Sequence, residues 1–107
     1  MTRIYRATTP THTFVFPEGI TPGNFQKLRL TYAQGGETLV EKTEEDVTCD
    51  ENTLSVTLTE EETARFRVRA PQPTVQIRIL DPDGHAFASQ MIPLAVAEVL
   101  NDEVLGA

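Results

Sequence analysis

Apolar and polar residues alternate almost without exception along three stretches of this chain: at Leu28, Leu30 and Tyr32, at Leu54, Val56 and Leu58, and at Val75, Ile77 and Ile79. A period of two places every second side chain on one face, which suits a sheet with one buried and one wetted side. Antiparallel strands joined by short turns satisfy that pattern most simply. The expected fold is therefore mainly β, a single immunoglobulin-like antiparallel β-sandwich of about 7–8 strands with one short helix near residues 60–67.

Turn chemistry divides the pattern into elements. Residues 3–8 and Thr11–Phe16 read as two strands separated by Pro10, with His12, Phe14 and Phe16 on one face. Pro17, Gly19, Pro22 and Gly23 then exclude both helix and central strand. After a third strand over Gln26–Ala33, Gly35-Gly36 supplies the positive φ angles of a tight primed turn, and the return strand Thr38–Thr43 is assigned to a sheet edge. Asp50-Glu51-Asn52 separates strands at Val47–Cys49 and Thr53–Thr59, with Asn52 the residue expected in the left-handed region.

Thr59-Glu60-Glu61-Glu62 matches a capping box with acids in the first turn, and Ala64, Phe66 and Val68 extend the helix to two turns at most. Strand Thr74–Leu80 leads into Asp81-Pro82-Asp83-Gly84, a turn with Pro second and Gly fourth. In the last strand, Ala86–Val96, Pro93 lacks a ladder donor and predicts an edge or a break there. From Ala95 onward Val96, Val99, Leu100 and Val104 suit one face of a short helix or a docking tail.

With 107 residues, the chain is read as one domain over 1–107, with 96–107 a candidate docking tail. A chain of this size buries roughly 60–70% of its unfolded surface without disulfide or metal staples. Cys49 is the only cysteine, so no intramolecular disulfide is available, and it reads as a half-buried strand or turn residue in a reducing compartment. The opening residues lack the apolar run of a signal peptide, and no run of apolar residues is long enough to span a bilayer. These features predict a soluble protein made in the cytoplasm.

The net charge is −7, and it is unevenly spread: ten acids and one base, Lys42, fall between Glu37 and Glu62, whereas four of the nine bases fall between Arg65 and Arg78. An acidic surface repels phosphate backbones and argues against nucleic-acid binding. Arg65, Arg67 and Arg69 line one face if extended; if helical, Arg65 and Arg69 share a face and pair with Glu61 and Glu62, which is the favoured reading.

No residue pattern points to chemistry. Asp81-x-Asp83-Gly84 opens like a calcium loop, but His85, Ala86 and Ile92 occupy the positions that require an oxygen ligand, Gly and Glu. His12 and His85 have no Cys or Glu at zinc-ligand spacing; His12 reads as a sheet-packed or rim residue and His85 as solvated. Ser55, Ser89 and Cys49 could meet His12 as a base only through a tertiary coincidence, and Glu44–Asp46 and Glu60–Glu62 read as a turn and a helix start rather than a glycosidase pair. No catalytic, cofactor-binding or metal-binding residue is assigned, no cofactor is expected, and the expectation is a protein that is not an enzyme.

Residues 6–14 (RATTPTHTF), 27–34 (KLRLTYAQ), 57–66 (TLTEEETARF), 75–80 (VQIRIL) and 99–105 (VLNDEVL) span nearly the full length. Through them the chain resembles small prophage-encoded structural proteins of siphophages. The order of strand, Thr-Leu-Thr-Glu helix, Val-Gln-Ile-Arg strand and hairpin is also similar to the N-terminal β-sandwich domain of phage upper-baseplate proteins.

That resemblance implies a virion structural or assembly protein, a tail or baseplate accessory module without an active site. It would bind other phage structural proteins or itself, and neither nucleic acid nor membrane, in the host cytoplasm during assembly or in the virion. The interface expected is the tail, with Val96, Val99, Leu100, Val104 and Leu105 as anchors, the alternative being that they cover the chain's own core. Two other functions stay open: a carbohydrate- or ligand-binding β-sandwich module, weakened by the lack of Trp, and an acidic regulator of a host protein.

Overall fold

Every second residue of the three alternating stretches faces one interior. Leu28, Leu30, Tyr32, Leu54, Val56, Leu58, Val75 and Ile77 are all buried, joined by Ile4, Val40, Phe66 and Leu94. Each such side chain removed from water contributes about 1.5–3 kcal/mol, so alternation and core are one fact seen at two scales. The computed structural model describes residues 2–17, 20–69, 71–89, 91–101, 103, 105 and 106.

The chain forms β1 (Thr2–Tyr5), β2 (Thr11–Val15), a 3-10 turn at Pro22–Asn24, β3 (Lys27–Gln34), β4 (Glu37–Thr43), β5 (Val47–Asp50), β6 (Thr53–Thr57), α1 (Glu60–Thr63), β7 (Thr74–Leu80), β8 (Ala86–Ala88) and β9 (Ile92–Ala97). One sheet runs β1-β9-β7-β3-β4, with β8 also paired to β7, and the other runs β2-β6-β5. This is the strand order of an immunoglobulin domain: β9, β7, β3 and β4 stand at the G, F, C and C′ positions, and β2, β6 and β5 at B, E and D. All ladders are antiparallel except β1 with β9, which pairs Thr2 with Leu94 and Tyr5 with Ala97.

Local signals held where they were self-contained. Gly35 (φ 62°) and Gly36 (φ 80°) form the β3–β4 turn, and β4 lies at the sheet edge. At Thr59 the capping box forms in full: Oγ1 accepts from the Glu62 N–H at 3.1 Å, and Glu62 Oε1 accepts from the Thr59 N–H at 2.8 Å.

Four details differ from the sequence reading. The helix stops at Thr63 after one turn instead of reaching residue 67, because Phe66 is drawn into the core against Tyr32. Buried Gln34 then holds the following chain open: its Oε1 accepts from the Arg67 N–H, and its Nε2 donates to the carbonyls of Arg67, Arg69 and Pro71. In the β5–β6 turn the left-handed residue is Glu51 (φ 51°), not Asn52, whose side chain instead donates to the Phe16 carbonyl. The last strand is split into β8 and β9, and Pro93 lies in a strand flanked by β7 and β1 rather than on an edge; the ladder to β1 starts one residue later, at Leu94.

Candidate functional site

The six-stranded sheet faces a sheet of three strands, and a cleft opens beside β8. Phe87 pairs with Ile79 in the β7–β8 ladder and turns to the same inner face, where its ring is 55% exposed. Opposite it stands the β2–β3 connection, carrying Ile20, Thr21, Asn24 and Phe25. Between them is a cleft of about 490 Å³ with Ile79 at its base and Asp81 and Pro82 at the hairpin side. Phe16 extends the apolar wall, meeting Phe25 edge to face at 6.0 Å and lining a smaller adjoining hollow with Ile77, Phe87 and Ala88.

Backbone hydrogen bonds fix the two walls to each other. Gln26 donates from its backbone to the Leu80 carbonyl and from Nε2 to the carbonyls of Asp81 and Pro82. The hairpin is held from within, since Asp81 Oδ1 accepts from the N–H groups of Asp83 (2.9 Å) and His85 (2.8 Å), and Gly84 adopts φ 88°. The His85 N–H first, with the Asp83 N–H and the His85 ring, holds the Asp81 carboxyl below its ordinary range.

The histidines have different settings. His85 is exposed beside Asp81, its Nδ1 3.4 Å from Oδ2. Asp81, Asp83 and His85 offer ligand atoms within 4.8 Å of one another, but the Asp81 carboxylate is already committed to the turn. His12 is buried, its Nδ1 2.7 Å from the Tyr32 hydroxyl, so it is the sheet-packed residue expected. Burial pushes the His12 pKa down and the Tyr32 pKa up, so both stay neutral. Cys49 is half-buried in β5, and burial raises its thiol pKa.

The arginine stretch does not pair as expected. Arg65, Arg67 and Arg69 lie beyond the helix; Arg65 donates to the Leu39 carbonyl, and Glu62 takes Lys42 as its ionic partner at 2.8 Å. Burial alone raises the Glu62 carboxyl pKa, but Lys42 and the Thr59 N–H outweigh it and leave the group below its ordinary value.

Of the expected interface, Val96 is half-buried in β9 opposite Ile4 and packs on the chain's own core, and Val99 is half-buried. Leu100 is fully exposed, and Leu105 is 81% exposed while its N–H and that of Gly106 donate to the Glu60 carboxylate. Val104 lies outside the described residues. The cleft residues Ile20, Phe25 and Phe87 were not singled out from sequence: Phe87 sits in a three-residue strand between alanines, and only its ladder partner reveals which way it faces.

No family model and no curated protein matches the chain. Among solved structures it is similar to CopC from Methylosinus trichosporium OB3b, at 16% identity and a TM-score of 0.54, over 94% of this chain and 89% of that one. It is also similar to the Ig-like domain of mouse leukocyte-associated immunoglobulin-like receptor 1, at 14% identity and a TM-score of 0.49, over 89% and 85% of the two chains. The likeness to CopC is one of fold. No described helix is long and apolar enough to cross a membrane.

Proposed function

We propose that this chain is a phage virion structural or assembly protein, a tail or baseplate accessory module that works by binding other protein chains. The observation carrying the reading is the half-exposed ring of Phe87, which with Ile20 and Phe25 leaves an apolar cleft at one end of an acidic molecule. Contiguous apolar surface of this kind marks a protein contact, and loops braced by a rigid sandwich are a common place to find one. Among the described residues the titratable side chain lining the cleft is Asp81, whose carboxylate is engaged by its own turn, which favours contact over proton transfer. The virion assignment draws on the resemblance of residues 6–14, 27–34, 57–66, 75–80 and 99–105 to siphophage structural proteins.

The test is made on particles. After prophage induction, virions are purified and probed with antiserum to the chain, and the gene is deleted in parallel. Several copies per particle, with loss of intact particles on deletion, are expected. A chain found only in the free fraction, with particle yield and infectivity unchanged by the deletion, would sink the reading.

A further inference from the structure

We infer that the edge of β8 takes up an extended strand of a partner protein, one in which apolar and acidic residues alternate. The inference rests on the structural-module reading and names the contact such a module makes. On this flank of the sheet β1 pairs with β9 from Leu94 onward, whereas β8 pairs with β7 alone among the described strands. The Asp81 N–H donates to the His85 carbonyl and the Ser89 N–H to the Ile77 carbonyl, so Asp81/His85, Ile79/Phe87 and Ile77/Ser89 are the hydrogen-bonded pairs of this hairpin. In an antiparallel ladder the residues between such pairs turn their backbone groups the other way. The N–H and C=O of Ala86 and Ala88 therefore face outward, beyond the stretch of edge that β1 covers.

This edge is unguarded. Charged side chains and prolines commonly keep sheet edges from pairing with other chains, and Ala86-Phe87-Ala88 has neither. The far edge of the same sheet shows the contrast: β4 carries Glu37, Glu41 and Lys42, Lys42 is joined to Glu62 of α1, and Arg65 takes up the Leu39 carbonyl.

The two faces beside the edge set the chemistry of the incoming strand. On the inner face half-exposed Phe87 shares an apolar hollow of about 140 Å³ with Phe16, Ile77 and Ile79, so a side chain placed beside Phe87 meets apolar surface. On the outer face Arg78 stands between its register partners Arg29 on β3 and Ala88 on β8, and a hollow of about 250 Å³ opens over Leu80 and Ala86 with Lys27 beside it. Like charges directly opposite across a ladder cost stability. Glu44 and Glu41 relieve that cost at Arg29, at 2.9 and 3.9 Å, and the Asp81 carboxylate is held by its own turn. Among the described residues no carboxylate, that of Asp83 included, pairs with Arg78 or Lys27.

A strand added to β8 lies two sheet spacings, about 10 Å, from β7, with only the methyl groups of Ala86 and Ala88 between. An arginine spans that gap to a glutamate or aspartate on the added strand, and the same position repels a lysine or arginine. Two copies paired through β8 itself would bring no acid to Arg78, so the complementary strand belongs to another protein.

Ribosome display of random short peptides, with the intact chain immobilised as bait, supplies the probe. Enriched peptides are expected to alternate apolar and acidic residues, and on binding to shift the amide resonances of Ala86 and Ala88 in nuclear magnetic resonance spectra. Ala88→Pro removes an outward N–H that the β7 ladder does not use, and should weaken the selected peptides about tenfold in fluorescence anisotropy, while Ala88→Ser should bind as wild type does. Arg78→Glu reverses the charge beside an intact edge, so the acidic peptides should weaken about tenfold and their glutamate-to-lysine counterparts should gain as much. If Ala88→Pro loses its native circular dichroism, Arg78→Glu decides alone.

A selection that yields no peptide, peptides without the alternation, or binding unmoved by Ala88→Pro or by Arg78→Glu overturns the inference. So does sedimentation that finds wild type dimeric and Ala88→Pro monomeric, which assigns the edge to a second copy. None of these results touches the virion assignment, which the particle experiment decides separately.

Discussion

His12 is 7% exposed, and its Nε2 has no hydrogen-bond partner among the described residues while its Nδ1 is tied to Tyr32. A proton added to the ring would place a charge in the core, so the native pKa lies below the ordinary 6.5 that the unfolded chain retains. The unfolded state then binds the extra proton first, and the contribution of neutral His12 is complete above pH 6.5 and lost as the pH falls below it. The loss reaches at most about 1.4 kcal/mol per pH unit. Urea melts at pH 7 and pH 5 should show wild type losing stability over that interval, and His12→Gln should flatten the difference; equal losses in both would refute the assignment. Gln34 is a second such residue, 1% exposed and bonded through both ends of its amide. Gln34→Leu should cost about 2–3 kcal/mol by leaving an N–H and carbonyls of residues 67–71 unsatisfied, and a shift below about 0.5 kcal/mol in the same melts would show that water replaces the amide.

Among the elements, α1 depends most on its ends. Four residues cannot sustain a helix alone, so the reciprocal Thr59–Glu62 bonds and the Lys42–Glu62 ion pair hold it. Thr59→Ala should destabilise the protein by about 1 kcal/mol, and Thr59→Asp should retain most of the stability; thermal melts of the pair compare them. The cap was legible because every residue in it lies within four positions. The Gly35-Gly36 turn and the alternating strands were legible for the same reason, since period and turn chemistry are local. What escaped the sequence depends on distant partners. The stop at Thr63 comes from Gln34 and the core seat of Phe66, and the arginines lost their expected helical partners once Lys42 claimed Glu62. The cleft was hidden likewise, since its walls come from Ile20–Phe25 and Asp81–Phe87, far apart in the chain and matched only through Gln26.

At the scale of the whole molecule, pairings between distant segments dominate. β1 pairs with β9, β2 with β6, and β3 with β7, so beyond the local hairpins the sheets cannot close before most of the chain is in place. Loop closure must precede those contacts, and folds of this kind refold in roughly milliseconds to seconds. Stopped-flow dilution from urea, followed through Tyr fluorescence, should show that range; completion within microseconds would mean that a local core forms first. The β1–β9 ladder has a further consequence. In the described sheet β9 is the sole neighbour of β1, so residues 2–5 have nowhere to settle until residues 92–97 have left the ribosome. A prematurely released polypeptide would thus display an unclosed edge to the quality-control proteases, and only chains that include residues 92–97 would escape them.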